Sequence, residues 1–82
     1  MLEKGKPMTV LNLPAVRVAA LAVAAGEACV KHETAGRFSV AWEYSMIAGE
    51  LWAEISCTDN AAVWHSNARR LHEVVTAIDG EL

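Results

Sequence analysis

The side chains whose pairing could make an activated nucleophile or a zinc site are the thiols Cys29 and Cys57 and the imidazoles His32, His65 and His72. A nucleophile needs a base within hydrogen-bond reach, and the pairings on offer are Cys57 with His65 and Cys29 with His32. Neither stands in a recognisable catalytic context. Cys29 and His32 lie one helical turn apart and could touch one ion, but structural zinc takes four ligands and no second pair converges from nearby sequence. We therefore expect no catalytic residue, no metal and no cofactor. Two cysteines are too few for a disulfide scaffold, and they lack the C-x-x-C spacing of a redox or metal motif. They read as small buried hydrophobes in a reducing compartment, which points to the cytoplasm.

The chain that must position these groups has 82 residues, 54% apolar and 21% charged, with a net charge of −3. That is one domain. The apolar content excludes disorder, and five Gly with two Pro exclude collagen-like or low-complexity classes. Seven Lys and Arg against ten Asp and Glu make the whole-molecule field repel phosphate backbones, so a nucleic-acid partner is not expected. A chain this short cannot bury every apolar side chain it carries, a first hint of a homodimer or a larger protein partner.

Residues 1–9 read as a polar leader and 10–82 as a single helical domain. Lys4, Lys6 and Arg17 precede the run Val18 to Ala25, and Ala22-Val23-Ala24 has the form of a signal-peptidase site. Cleavage near Ala24 would make the protein periplasmic, with a Cys29–Cys57 bridge. Against this, the run is short and Ala-rich, Arg17 abuts it, and Asn12 and Pro14 interrupt what precedes. No stretch approaches the roughly 20 apolar residues of a membrane span, and no membrane association is expected.

Asn12 with Pro14 reads as the start of a first helix over about 13–32. Its charges Arg17, Glu27 and Lys31 share one stripe with Ala20 and Ala24, and the remainder is apolar, so this reads as the most buried helix. Glu33 to Gly36 is a turn by composition. The segment that follows fits two periods. As a helix over 37–57, Val40, Ala41, Tyr44, Ile47, Ala48, Leu51, Trp52 and Ile55 form one face. As a β-hairpin at 38–57, residues on either side of Ser45 to Gly49 alternate, giving an α+β fold. Met46 and Ile47 are poor turn residues, and two strands alone make a marginal sheet, which favours the helix. Thr58-Asp59-Asn60 offers caps for a last helix over about 60–79, with Gly80 as its stop and an apolar side of Val63, Trp64, Ala68, Leu71, Val74, Val75 and Ile78. The expected fold is all-α, a three-helix up-down-up bundle that dimerises.

Three surfaces stand out. Phe38, Trp42 and Met46, continued by Gly49 and Ala53, form a second apolar stripe on the middle helix, away from its main face. Aromatic anchors, Met and small residues that allow close approach are what contact surfaces enrich, so this stripe is the expected partner or dimer interface. Glu43, Glu50 and Glu54 would rim it and steer a basic partner. His65, Arg69 and His72 form a polar face on the last helix, able to contact an anion or acidic partner in a pH-dependent way. Asn67 falls on the apolar side of that helix, where it must find a partner or specify register. The function these features suggest is non-enzymatic protein–protein interaction, as adaptor, regulator or stoichiometric inhibitor. The alternative is a dimeric DNA-binding regulator using the last helix with Arg69 and Arg70.

Overall fold

The computed structural model describes residues 14–81, all helical apart from two connectors and Pro14. The expected leader, the Asn12 cap and Leu13 lie outside the described residues. Helix α1 spans Ala15–Thr34, α2 Phe38–Glu54 and α3 Thr58–Glu81. The bundle expectation therefore holds, and the hairpin alternative is overturned by an unbroken helix through residues 45–49.

The two connectors share one geometry. At the end of α1, Gly36 N–H donates to the Glu33 carbonyl at 2.9 Å and Arg37 N–H to that of His32 at 2.8 Å, with Gly36 at φ +82°. At the end of α2, Ser56 N–H donates to Ala53 at 3.0 Å and Cys57 N–H to Trp52 at 2.9 Å, with Ser56 at φ +63°. Both are Schellman caps, in which a left-handed residue lets the chain reverse while two orphan carbonyls are satisfied. Glycine adopts that conformation freely, whereas a serine there costs about 1–2 kcal/mol. Residues 37 and 57 then open the next helix at once, which makes neighbours antiparallel. Boundaries shift by up to three residues: α1 runs on to Thr34, α2 ends at Glu54 and not at 57, and α3 starts at Thr58, so that Asp59 sits in its first turn, and is not stopped by Gly80.

The core is built from small residues at alternating spacings of three and four. Val18, Ala22, Ala25 and Cys29 are buried on α1, Ala41, Ser45 and Ala48 on α2, and Ala61, Ala68 and Leu71 on α3. That is the repeat of left-handed helix packing, and small side chains let axes approach. Close approach is unequally distributed: α2 lies against both α1 and α3, while α1 and α3 have little backbone contact with each other. The middle helix, not α1, is therefore the central element. On α1 the expected stripe of Arg17, Ala20, Ala24, Glu27 and Lys31 is exposed, but so are Val16, Leu21, Val23 and Val30, which corrects its reading as the most buried helix.

Candidate functional site

The stripe and the polar face predicted on different helices meet each other. Phe38 and Trp42 are half-buried and pack on a cluster of Cys29, Ala41 and Leu71. The Trp42 ring lies 5.0 Å from that of His72, tilted by 49°. Gly49 is buried beneath the ring of His65, which occupies the space a β-carbon there would need. Two histidines of α3 thus cover much of the stripe from outside, leaving Met46 and Ala53 exposed. Glu43, Glu50 and Glu54 are exposed as well, and so is Arg69. A central helix needs two packing faces, one per neighbour, and the Phe38/Trp42/Gly49 side serves α3. Of the main face expected on α2, Ala41 and Ala48 are buried while Ile47 is exposed.

One polar residue from each helix meets at the centre. Asn67 Nδ2 donates to Ser45 Oγ at 3.1 Å and to Cys29 Sγ at 3.5 Å. Ser45, fully buried, donates to the Trp64 carbonyl at 2.7 Å. Asn67 Oδ1 accepts from Arg70 Nη2 at 2.7 Å and Nε at 3.2 Å, and Nη2 also contacts both Glu33 oxygens at 2.9 Å. Asn67 is therefore a satisfied residue that ties α3 to α1 and α2, and Ser45 is its partner hidden in an apolar helix. Burial pushes the Cys29 thiol above its ordinary range, and the nearby Glu33 charge adds to this. A raised thiol is a poor nucleophile. Its expected base is engaged elsewhere: His32 stacks on Tyr44, centroids 5.5 Å apart, and its Nδ1 accepts from Arg37 Nε at 2.8 Å. Cys29 and Cys57 are both free, and among the described residues no three His, Cys, Asp or Glu side chains converge as metal ligands.

The open side of the molecule is between α1 and α3. One cleft of about 400 Å³ is lined by Val23, Gly26, Glu27, Val30, Trp52 and Trp64. A second, of about 380 Å³, adjoins it through Val30 and Trp64 and reaches Val63, Asn67, Arg70 and Glu33. The Trp64 ring packs directly on Gly26, where a β-carbon would lie 2.6 Å from its Cζ2 atom. Among the described residues, the four most exposed large hydrophobics are Val16 at 74%, Val63 at 61%, Val30 at 56% and Val23 at 48%. Three of them line these clefts, and Val16 continues the row along α1. Compared by sequence with protein families and with curated proteins, and by fold with solved structures, the chain has no match.

The valine row was missed in the sequence because α1 was expected to be enclosed. A signal for it exists: Val16, Val23 and Val30 recur every seven residues beside the charged stripe. Among the described residues, no helix is long and apolar enough to cross a membrane.

Proposed function

We propose that this protein is a non-enzymatic interaction module that takes an apolar helix into the groove between α1 and α3. What supports this is the convergence of Val23, Val30 and Val63, its most exposed large hydrophobics after Val16, on clefts floored by Trp52 and Trp64. Exposed apolar surface rimmed by charge marks contact sites, and an amphipathic helix in a groove is a recurrent recognition mode. The interface thus moves from the stripe on α2 to the opposite side of the bundle, with Met46 and Ala53 left as minor exposed neighbours. The roles open to such a module are adaptor, regulator or stoichiometric inhibitor in the cytoplasm. DNA binding through Arg69 and Arg70 gains no support, because Arg70 is already committed to Glu33 and Asn67.

The test is partner retention by immobilised protein, comparing wild type with Val23→Asp/Val63→Asp and with Met46→Ala. Retention should vanish in the first variant, survive in the second and change little with salt. Binding that survives Val23→Asp/Val63→Asp, or that falls steeply with salt, would refute the groove.

A further inference from the structure

We propose that the cleft holding Trp52 and Trp64 is a binding site for a small quaternary ammonium cation with a short apolar tail. Its occupant is a small molecule, so the site stands apart from the helix proposed for the wider groove. The space, about 400 Å³, is lined by Val23, Gly26, Glu27, Val30, Trp52 and Trp64, a volume in the range of small-molecule sites. Two half-buried indoles and one carboxylate in otherwise apolar walls are the groups a methylated ammonium uses. The faces of aromatic rings attract positive charge through their quadrupole, those of Trp most strongly, and the carboxylate supplies the counter-charge. The Trp64 ring is seated on Gly26, where a β-carbon would lie within 3.3 Å of three of its atoms. A glycine in a helix interior costs stability relative to alanine, and here its missing side chain leaves room for the ring that forms one wall.

Other ligand classes use these groups less well. An anion would meet Glu27 with no cation among the described residues that line the cleft. A primary ammonium would bring three donors, and Glu27 is the acceptor that the described lining side chains offer, whereas a quaternary nitrogen has no donor to leave unsatisfied. A neutral apolar molecule would use the rings and waste the carboxylate. Glu27 stands exposed at the rim and joins no ion pair among the described residues, not even with Lys31 one turn further on, so its charge is available. In the adjoining cleft Arg70 and Glu33 neutralise each other. Val23 and Val30 give the tail its apolar bed, and the net charge of −3 favours approach of a cation.

The probe is choline, compared with 3,3-dimethylbutan-1-ol, which has the same shape and no charge. Titrated calorimetrically at low salt into the whole 82-residue chain, choline should bind in the millimolar range and the alcohol about tenfold more weakly. The N-methyl proton resonance of choline should move upfield on binding, as protons over an aromatic ring do. Hexyltrimethylammonium should bind severalfold more tightly through its tail. Glu27→Gln, at an exposed position, should weaken choline binding about fivefold. Trp52→Leu, with helicity retained by circular dichroism, should weaken it about tenfold. Equal affinity for the alcohol, an affinity for choline unchanged by Glu27→Gln or by a folded Trp52→Leu, or neither heat nor resonance shift with either ammonium would overturn the cation site. Each of those outcomes leaves the helix proposal to its own test, because partner retention is read with Val23→Asp/Val63→Asp and with no ammonium present.

Discussion

The two sides of α3 are held by different means. Against α2 it packs directly: Leu71 shares a cluster with Ala41, the Ser45 hydroxyl donates to the Trp64 carbonyl, and His65 and His72 close over Gly49 and Trp42. Against α1 it has Leu71 in one cluster with Cys29, Trp64 over Gly26, one bond from Asn67 to Cys29, and the Arg70–Glu33 ion pair. The first contact is a continuous seam of small residues, and the second is a set of bridges with open space between. A seam of small residues brings backbones together, and the cleft on this side, about 270 Å³, lies at its end between Phe38 and Val40 of α2 and Val75 and Ile78 of α3. On the α1 side the Trp64 ring sits on Gly26, and Val23, Val30 and Val63 line the clefts beside it. The same bundle thus carries a closely packed side and a more open one.

Substitutions that separate these sides should differ in size. Leu71→Ala removes the largest fully buried side chain, and we expect a loss of about 2–5 kcal/mol by denaturant unfolding. A loss below 1 kcal/mol would mean that the seam is not where stability resides. Ser45→Ala deletes the bond to the Trp64 carbonyl and one of the acceptors for Asn67, and should cost about 1–3 kcal/mol. The two glycines give the sharpest contrast, since alanine in a helix interior is worth up to about 1 kcal/mol over glycine. At Gly49 the obstacle is an exposed histidine ring that can swing away, so Gly49→Ala should be near neutral. At Gly26 it is the half-buried Trp64 ring, and overpacking should cost about 1–3 kcal/mol. A shift in Trp fluorescence with Gly26→Ala and not with Gly49→Ala would locate the disturbance. Arg70→Ala should cost little, under about 1 kcal/mol and shrinking with added salt, because the pair is partly exposed. A larger loss would make the ion pair, not the polar centre, the main tie between α1 and α3.

The number and order of helices, a chain reversal at Gly36, though not its start at Glu33, and the outward stripe of Arg17, Ala20, Ala24, Glu27 and Lys31 were legible in the sequence. They follow from periodicity and turn chemistry, which act locally. The assignment of faces was not. The spacing of Phe38, Trp42 and Met46 reads as a second apolar stripe on α2, and a helix flanked on both sides needs two packing faces; Phe38 and Trp42 are half-buried and Met46 is exposed. Which helix of three lies in the middle is decided by long-range packing. Small residues obscured the answer further, because Ala41, Ser45, Ala48 and Gly49 carry little hydrophobic signal although all are buried. Asn67 was visible as an anomaly, and its partner Ser45 was not, since a lone serine among apolar neighbours has no pattern of its own.

Sealing Cys29 in the polar centre gives the molecule an internal clock for its own opening. A thiol reagent should modify half-buried Cys57 first and reach Cys29 only when α1 parts from α2 and α3, so the delay between the two reactions measures how often the bundle opens. Alkali should quicken that clock. The folded thiol is held above its ordinary value of 9.0, so the unfolded chain gives up the proton first, and the stability contributed by the protonated thiol is present below that pH and lost as pH climbs beyond it.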